Sequence, residues 1–254
     1  MPPVFTRLAE APNGLTRSAF AHAILYAFKI CEDNSMAQFI DLSHIVEAGM
    51  ITYKGIPAPI ICDFLSREAS RNNYAEGTEF HIGKIELVAN TGTYLDSPFH
   101  RFADGKDLSE LTLTQIAELE AVLIRHDLAN GRAIEAEVFA GVDLKGKAVL
   151  VNTNWSQHWR TDQYFEGHPY LTAAAAEYLV QAHATLVGID SYNIDNTDTN
   201  TRPVHTILLG NNIPIVEHLC QLDQLPTSGF HFSAVPVKVK HFGTFPVRAY
   251  ARID

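Results

Sequence analysis

The run Ala148-Val149-Leu150-Val151, then Thr172-Ala173-Ala174-Ala175-Ala176-Glu177-Tyr178-Leu179-Val180-Gln181-Ala182, then Thr185-Leu186-Val187-Gly188-Ile189, decides the fold class. Two short apolar runs read as buried strands, and Thr172 is placed to cap a helix between them. Strand, helix and strand in that order predict an α/β unit. The same alternation continues on both sides. Phe39 to Ser43 reads as a short strand ending in a turn, Ile56 to Pro59 as an extended or loop segment, and Glu79 to Val88 as a partly alternating strand. Leu111 to Glu120 reads as a short helix ahead of the β-branched run Ala121 to Ile124, and Glu135 to Val142 as weakly helical. His205 to Leu209 reads as a fourth strand, and Phe232 to Lys240 with Phe245 to Ile253 as a closing pair. These elements predict one α/β domain with a mixed sheet.

Composition agrees with a globular chain. Of 254 residues, 46% are hydrophobic and 19% charged, which is neither a disordered nor a fibrous balance. The formal net charge of -10 repels phosphate backbones, so nucleic acid is not an expected partner. No apolar run is long enough to span a bilayer, so no membrane partner is expected either. The segment Ser18 to Phe28 has the length of a signal peptide. It contains His22 and is followed by Lys29 rather than by a small-residue cleavage site, so a cytoplasmic location is expected. Met36 opens the first stretch that reads as a domain, which predicts an N-terminal extension over 1–35 and a domain over 36–254. The three cysteines, Cys31, Cys62 and Cys220, are far apart and odd in number. They predict reduced thiols rather than a disulfide framework or a thiolate zinc site.

Chemistry-bearing residues concentrate in Asn90-Thr91-Gly92-Thr93-Tyr94-Leu95-Asp96-Ser97-Pro98-Phe99-His100. Side chains alternate along a strand, so Asn90, Tyr94 and Asp96 share one face, and His100 reaches back after Pro98. Spacing alone supports two readings equally: a polar site, or a strand-to-loop transition in which Asp96 accepts turn hydrogen bonds. A second cluster is His205 with Glu217. A charged Glu217 inside the apolar run Ile215-Val216 is costly unless it is paired or bound to a cation. Histidine with carboxylates suits hard and borderline divalent cations.

Together these motifs resemble the cyclase family of metal-dependent hydrolases, which includes bacterial kynurenine formamidase and isatin hydrolase. The likeness rests on Thr91-Gly92-Thr93-x-x-Asp96-x-Pro98-x-His100, then Phe102-x-Asp104-Gly105. It extends to Asp41-Leu42-Ser43-His44, Thr153-x-Trp155-Ser156, Gly167-His168-Pro169, Gly188-Ile189-Asp190-Ser191 with Ile194-Asp195, and His205-x-Ile207-Leu208-Leu209-Gly210-Asn211-x-Ile213-Pro214-Ile215-x-Glu217. It spans roughly 36–254, and several motifs in one order are far more specific than any single one. The resemblance implies a mixed-sheet β/β/α fold of the swivelling type and a homo-oligomer, dimer or tetramer. It also implies hydrolysis of a small amide, N-formyl or lactam substrate by a metal-activated water.

The family pattern is His-x-Gly-Thr-His-x-Asp-x-Pro-x-His. Here Asn90 and Tyr94 stand where the family has two histidine ligands. Asp96, His205 and Glu217 match the remaining metal ligands, and His100 matches the catalytic histidine. An Asn carbonyl is a weaker donor than imidazole, and a tyrosine hydroxyl must lose a proton to bind a metal well. One divalent ion, zinc or manganese, on Asp96, His205 and Glu217 is therefore expected rather than two, with a metal-free pocket as the alternative. The catalytic set expected is His100, Tyr94 and Glu217. Asn90, Phe99, Phe102 and Trp155 are the expected substrate contacts. Two other functions are weighed against the hydrolase. One is a metal-independent enzyme of the same fold that uses His100 and Tyr94. The other is a non-catalytic small-molecule binding protein that has lost the metal.

Overall fold

Alternation along the central strands decides how the molecule packs. In the computed structural model the described residues are 37–254. The extension over 1–35, the segment Ser18 to Phe28, Cys31 and Met36 lie outside them. Residues 38–253 form one compact unit. Its elements in chain order begin with β1 (Gln38–Asp41), β2 (Ile60–Leu65), α1 (Arg67–Ser70), β3 (Ile82–Glu86) and β4 (Tyr94–Asp96). There follow α2 (Leu113–Ile116), β5 (Leu119–Arg125), β6 (Ala133–Ile134), β7 (Ala148–Asn152), β8 (Tyr170–Leu171), α3 (Ala173–Gln181) and β9 (Leu186–Ile189). The chain ends with α4 (Pro203–Gly210), β10 (Ile215–Glu217), β11 (Phe230–Ser233), β12 (Thr244–Pro246) and β13 (Tyr250–Ile253).

Nine strands form one mixed sheet in the order β1-β13-β11-β5-β7-β9-β10-β4-β12. The pairs β5–β7, β7–β9 and β9–β10 are parallel, and the flanking pairs are antiparallel. Strands β12 and β13 are separated by only Val247 to Ala249 in sequence, yet they lie near opposite ends of that order. The sheet therefore curls until its ends approach. Hydrogen bonds from Val247 N to Thr93 O (2.9 Å) and from Leu42 N to Ala249 O (2.9 Å) join them.

Curling separates two cores. Leu119, Ala121 and Leu123 of β5, Ala148 and Leu150 of β7, Leu186 of β9, Val216 of β10 and Leu95 of β4 share one cluster. The alternate residues Val122, Ile124, Val149, Val151, Val187, Ile189 and Ile215 share the other, with Leu179 of α3 and Val204 and Leu208 of α4. Both faces of the parallel strands are thus covered, which explains why they read as continuous apolar runs. Gly188 fits because a Cβ there would lie 2.8 Å from both Leu150 Cδ2 and Leu219 Cδ1.

The strand–helix–strand unit forms as the sequence predicts, with the Thr172 hydroxyl accepting from Ala175 N at 3.2 Å to cap α3. Three other elements differ. The segment His205 to Leu209 is helical, part of α4, not a strand. Pro203 sits in its first turn, and Val204 and Leu208, four residues apart, both face the second core. Only Leu113–Ile116 of the expected 111–120 helix is helical, because Leu119 already enters β5. The closing pair is shorter than expected. β11 ends at Ser233, and the segment 245–253 divides into β12 and β13, which pair at different places in the sheet.

Candidate active site

The pairing register brings the dispersed motifs together. β4 runs antiparallel between β10 and β12, so Tyr94 lies opposite Glu217, while Asp96 lies opposite Ile215 on one side and Thr244 on the other. Leu95 points into the first core, which leaves Tyr94 and Asp96 on the other face. Both are buried, as are His205 and Glu217. The segment Pro98–His100 forms a single 3-10 turn after β4 and returns His100 towards Asp96, with Nδ1 3.7 Å from Asp96 Oδ1. That turn needs two glycines beside it. A Cβ on Gly243 would lie 2.5 Å from His100 N, and one on Gly105 would lie 2.6 Å from Pro98 C.

His205 occupies the first turn of α4, where Asp195 anchors both helix and imidazole. The Asp195 carboxylate accepts from Val204 N (2.8 Å), His205 N (3.0 Å) and His205 Nδ1 (2.6 Å). It satisfies two first-turn N–H groups and fixes the tautomer that leaves Nε2 facing inward. Nε2 lies 3.7 Å from Asp96 Oδ2 and 3.8 Å from Glu217 Oε1. Burial alone would lower the His205 pKa, but the surrounding Asp195, Asp96 and Glu217 raise it to about 10. For Asp96, burial opposes ionisation, while His100, His205 and the Thr244 hydroxyl more than offset it and lower the pKa. Glu217 is pushed upward, first by burial and then by the charge of Asp96.

The hydroxyl hydrogen bonds have a defined direction. Thr244 donates to Asp96 Oδ1, so its oxygen can only accept from His100 Nδ1–H, at 2.8 Å. In the neutral imidazole this puts the proton on Nδ1 and makes Nε2 the acceptor. The Tyr94 hydroxyl donates to Glu217 Oε2 at 2.6 Å, and Ile194 N donates to Oε1 at 2.6 Å. Burial, together with Glu217 and Asp96, raises the Tyr94 pKa well above its usual value, so the hydroxyl stays neutral. His218 Nε2 lies 3.3 Å behind that hydroxyl and Tyr164 OH lies 2.8 Å from His218 Nδ1.

Tyr94, His100, His205 and Glu217 border a cavity of about 280 Å³. Its lining grades outward from buried Tyr94, Asn193, His205 and Glu217, through half-buried Tyr53, Ile56, Asn90 and Arg202, to exposed His100 and Arg101. A larger groove of about 900 Å³, lined by His44, Trp159 and Arg160 among others, shares none of these residues.

Of the residues selected from sequence, Asn90, Tyr94, His100, His205 and Glu217 line this cavity, and Asp96 lies fully buried 3.7 Å from both His100 and His205. Phe99, Phe102 and Trp155 do not line the cavity. Phe102 packs against the second core, with ring atoms 3.5 Å from where a Gly210 Cβ would be. Trp155 is buried with Tyr164 and Tyr192, and its Nε1 donates to Tyr164 O at 3.0 Å. Aromatic side chains beside a motif packed as core, which is the commoner fate for such residues. Sequence reasoning named Asp195 within the resemblance without giving it a role, and it missed Thr244, Tyr53, Asn193, Arg101 and Arg202. Asp195 alone carried a signal, as a carboxylate ahead of a proline-started helix.

Ligand atoms of Asp96, His100 and His205 lie within 4.8 Å of one another, so the site can hold a divalent ion. The orphaned Asp96 Oδ2 supports this. It is buried without a hydrogen-bond partner and is aimed at His205 Nε2.

A curled mixed sheet with a buried carboxylate–imidazole cluster built on β4, β10 and the first turn of α4 defines an α/β fold with an enzyme-like site. The family model described as "Putative cyclase" matches residues 40–196, and the chain belongs to this family. Kynurenine formamidase from Bacillus cereus is 28% identical over 217 residues, 85% of this chain and 98% of that one. Isatin hydrolase A from Labrenzia aggregata shares the fold with a TM-score of 0.74 at 19% identity, covering 91% of this chain and 99% of that one. A structure described as a potential metal-dependent hydrolase with cyclase activity has a TM-score of 0.69 at 22% identity, covering 86% and 98%.

Proposed function

We propose that the protein is a metal-dependent hydrolase of a small amide, N-formyl or lactam substrate. The observation that carries this reading is the unpartnered, buried Asp96 Oδ2 facing a His205 Nε2 whose tautomer Asp195 fixes. A buried carboxylate oxygen left without a hydrogen bond is costly; with no ion bound, the His205 imidazolium 3.7 Å away offsets part of that cost, and a divalent ion would take the place of its Nε2 proton. Asp96 and His205 would hold the ion, with Glu217 and His100 within reach. The kynurenine formamidase relatives and the metal-dependent hydrolase neighbour support the same chemistry.

One zinc or manganese ion fits better than two. Asn90 is neutral, and the Tyr94 hydroxyl is neutral and committed to Glu217. When bound, such an ion polarises a carbonyl and acidifies a bound water. The chain's own residues handle the proton. His100 Nε2, freed by the Thr244 bond to Nδ1, accepts a proton from water. It returns that proton to the leaving nitrogen as the C–N bond breaks, giving a carboxylic acid and an amine. Tyr94 holds Glu217 in place rather than acting as an acid or base, so the metal-independent reading has no favouring observation.

Self-association and a reducing compartment belong to the same proposal. Hairpin β2–β3 carries Ile60, Ile61, Phe64, Ile82 and Ile85 at 41–74% exposure. A solvated two-stranded ribbon with so much apolar surface is suited to cover by a second copy. Cys62 and Cys220 are free thiols, in keeping with a cytoplasmic setting. The test of function is hydrolysis of formanilide by protein stripped with chelator and reloaded with manganese or zinc. Activity that returns with metal supports the reading, and activity unaffected by stripping contradicts it.

A further inference from the structure

Three consecutive residues of the loop after β9 face the site, and the hydrolytic chemistry leaves the first unused. Ile194 N donates to Glu217 Oε1 at 2.6 Å, and the Asp195 carboxylate holds His205. Asn193, immediately before them, is 5% exposed and lines the buried end of the cavity.

The Asn193 amide has one orientation open to it. Asp195 N donates to Asn193 Oδ1 at 2.9 Å. A backbone N–H can only donate, so the oxygen faces Asp195 and the NH2 group faces away. Nδ2 has no acceptor among the described residues and is not sealed in protein. With the residue so nearly buried, the space left to those two hydrogens is the cavity. The loop is also pinned on both sides of Asn193. Ser191 Oγ donates to Pro169 O (2.6 Å), Leu171 N to Ile194 O (2.9 Å) and His168 Nε2 to Asp195 O (3.1 Å). The Gly167-His168-Pro169 motif thus clamps the loop that presents the amide.

The other buried residues of the lining offer no free donor. Glu217 accepts on both oxygens, and the Tyr94 hydroxyl hydrogen is one of the two it receives. His205 Nδ1 is committed to Asp195, and its Nε2 faces Asp96 and Glu217. Amide hydrolysis needs a donor here. As water adds to the acyl carbon, the C=O electron pair moves onto oxygen, which becomes anionic. The pair returns as the C–N bond breaks and the leaving nitrogen takes the proton from His100. Beside the carboxylates of Asp96 and Glu217 that oxygen is repelled unless a donor faces it. A donor fixed in advance needs no reorganisation when the charge forms.

We propose that Asn193 Nδ2–H hydrogen-bonds the scissile carbonyl oxygen and stabilises the negative charge that develops on it. This rests on the hydrolase reading for the reaction, but the bond to the carbonyl is readable without turnover.

Two variants separate the donor from the turn. Asn193→Asp keeps an oxygen for Asp195 N and removes the N–H donors, whereas Asn193→Ala removes both. The probe is formanilide labelled at its carbonyl carbon, bound to chelator-stripped protein and read by isotope-edited infrared spectroscopy. The native protein shifts the carbonyl stretch to lower frequency than either variant does. In the manganese-loaded enzymes both variants lose about 100-fold in kcat for formanilide, as removal of one oxyanion donor implies. KM stays within about three-fold of native, because the bond strengthens in the transition state. Asn193→Ala keeps the native manganese affinity. No bound carbonyl band in the native protein, or the same stretch in native and variants, overturns the proposal. So does a raised KM with kcat retained. A fall in manganese affinity that matches the fall in turnover also overturns it, because the amide would then only support the loop. The two readings fail separately. A variant-sensitive stretch without metal-dependent hydrolysis removes only the assignment of reaction. Metal-dependent hydrolysis with a variant-insensitive stretch removes only the Asn193 contact.

Discussion

Replacing Asp195 by asparagine tests how the His205 imidazole, proposed above as a metal ligand, is held. The carboxylate accepts three N–H groups, from Val204 N, His205 N and His205 Nδ1. In Asp195→Asn the amide oxygen can keep Val204 N, but the amide nitrogen then faces two donors. Each buried donor left unpaired costs about 1–3 kcal/mol, and loss of a buried charge returns part of that. A net destabilisation of about 2–4 kcal/mol follows, or roughly 5–15 °C in Tm for a chain of this size. His205 also loses the group that fixes its tautomer. Its Nδ1 can pair with the amide only by becoming an acceptor, which puts the proton on Nε2 and turns it away from metal. Removal of such a supporting carboxylate typically weakens metal binding about 10- to 100-fold. The assays are differential scanning fluorimetry and manganese or zinc competition against a chromophoric chelator. Metal affinity within about two-fold of wild type would refute the tautomer argument, whatever the effect on Tm.

Three further outcomes are expected. Tyr94→Phe removes a 2.6 Å hydrogen bond to the buried Glu217 carboxylate. It should cost about 1.5–3 kcal/mol, read as a lower Tm; an unchanged Tm contradicts the assigned donor. Gly243→Ala puts a Cβ 2.5 Å from His100 N, against backbone that cannot easily yield. Catalytic turnover should fall at least about ten-fold, as misplaced catalytic groups imply, and a near-native rate contradicts the placement of His100. His44 stacks on Trp159 at 3.9 Å, and burial lowers its pKa from 6.5 to about 4. The unfolded chain therefore binds more protons between those values. The His44 contribution is complete above about pH 6.5 and is lost as pH falls towards 4. His44→Gln should flatten the fall in Tm over that window, and curves parallel to wild type would contradict it.

The sequence made the β4 face legible because alternation is a local property. Tyr94 and Asp96 had to point away from Leu95. Glu217 was legible for a different reason, since a carboxylate in an apolar strand demands a partner. What the partner is depends on register. Tyr94 lies opposite Glu217 and Thr244 opposite Asp96 only because β4 pairs with β10 and β12. Those neighbours lie over a hundred residues away, beyond the reach of periodicity. The helix at 203–210 was hidden by its β-branched and leucine-rich composition, and tertiary packing overrode that propensity. Nothing in the sequence marked Arg101 or Arg202, because which arginines line a cavity depends on the fold. Phe99, Phe102 and Trp155 were chosen for proximity to motifs, but proximity in sequence does not aim a ring into a cavity.

The central claim is that one divalent ion sits between Asp96 and His205. The most direct measurement is an anomalous difference map from crystals of the manganese-loaded protein. The account predicts a single strong peak within bonding distance of Asp96 Oδ2 and His205 Nε2. No peak there, a peak elsewhere, or a second ion beside Asn90 and Tyr94 would contradict it.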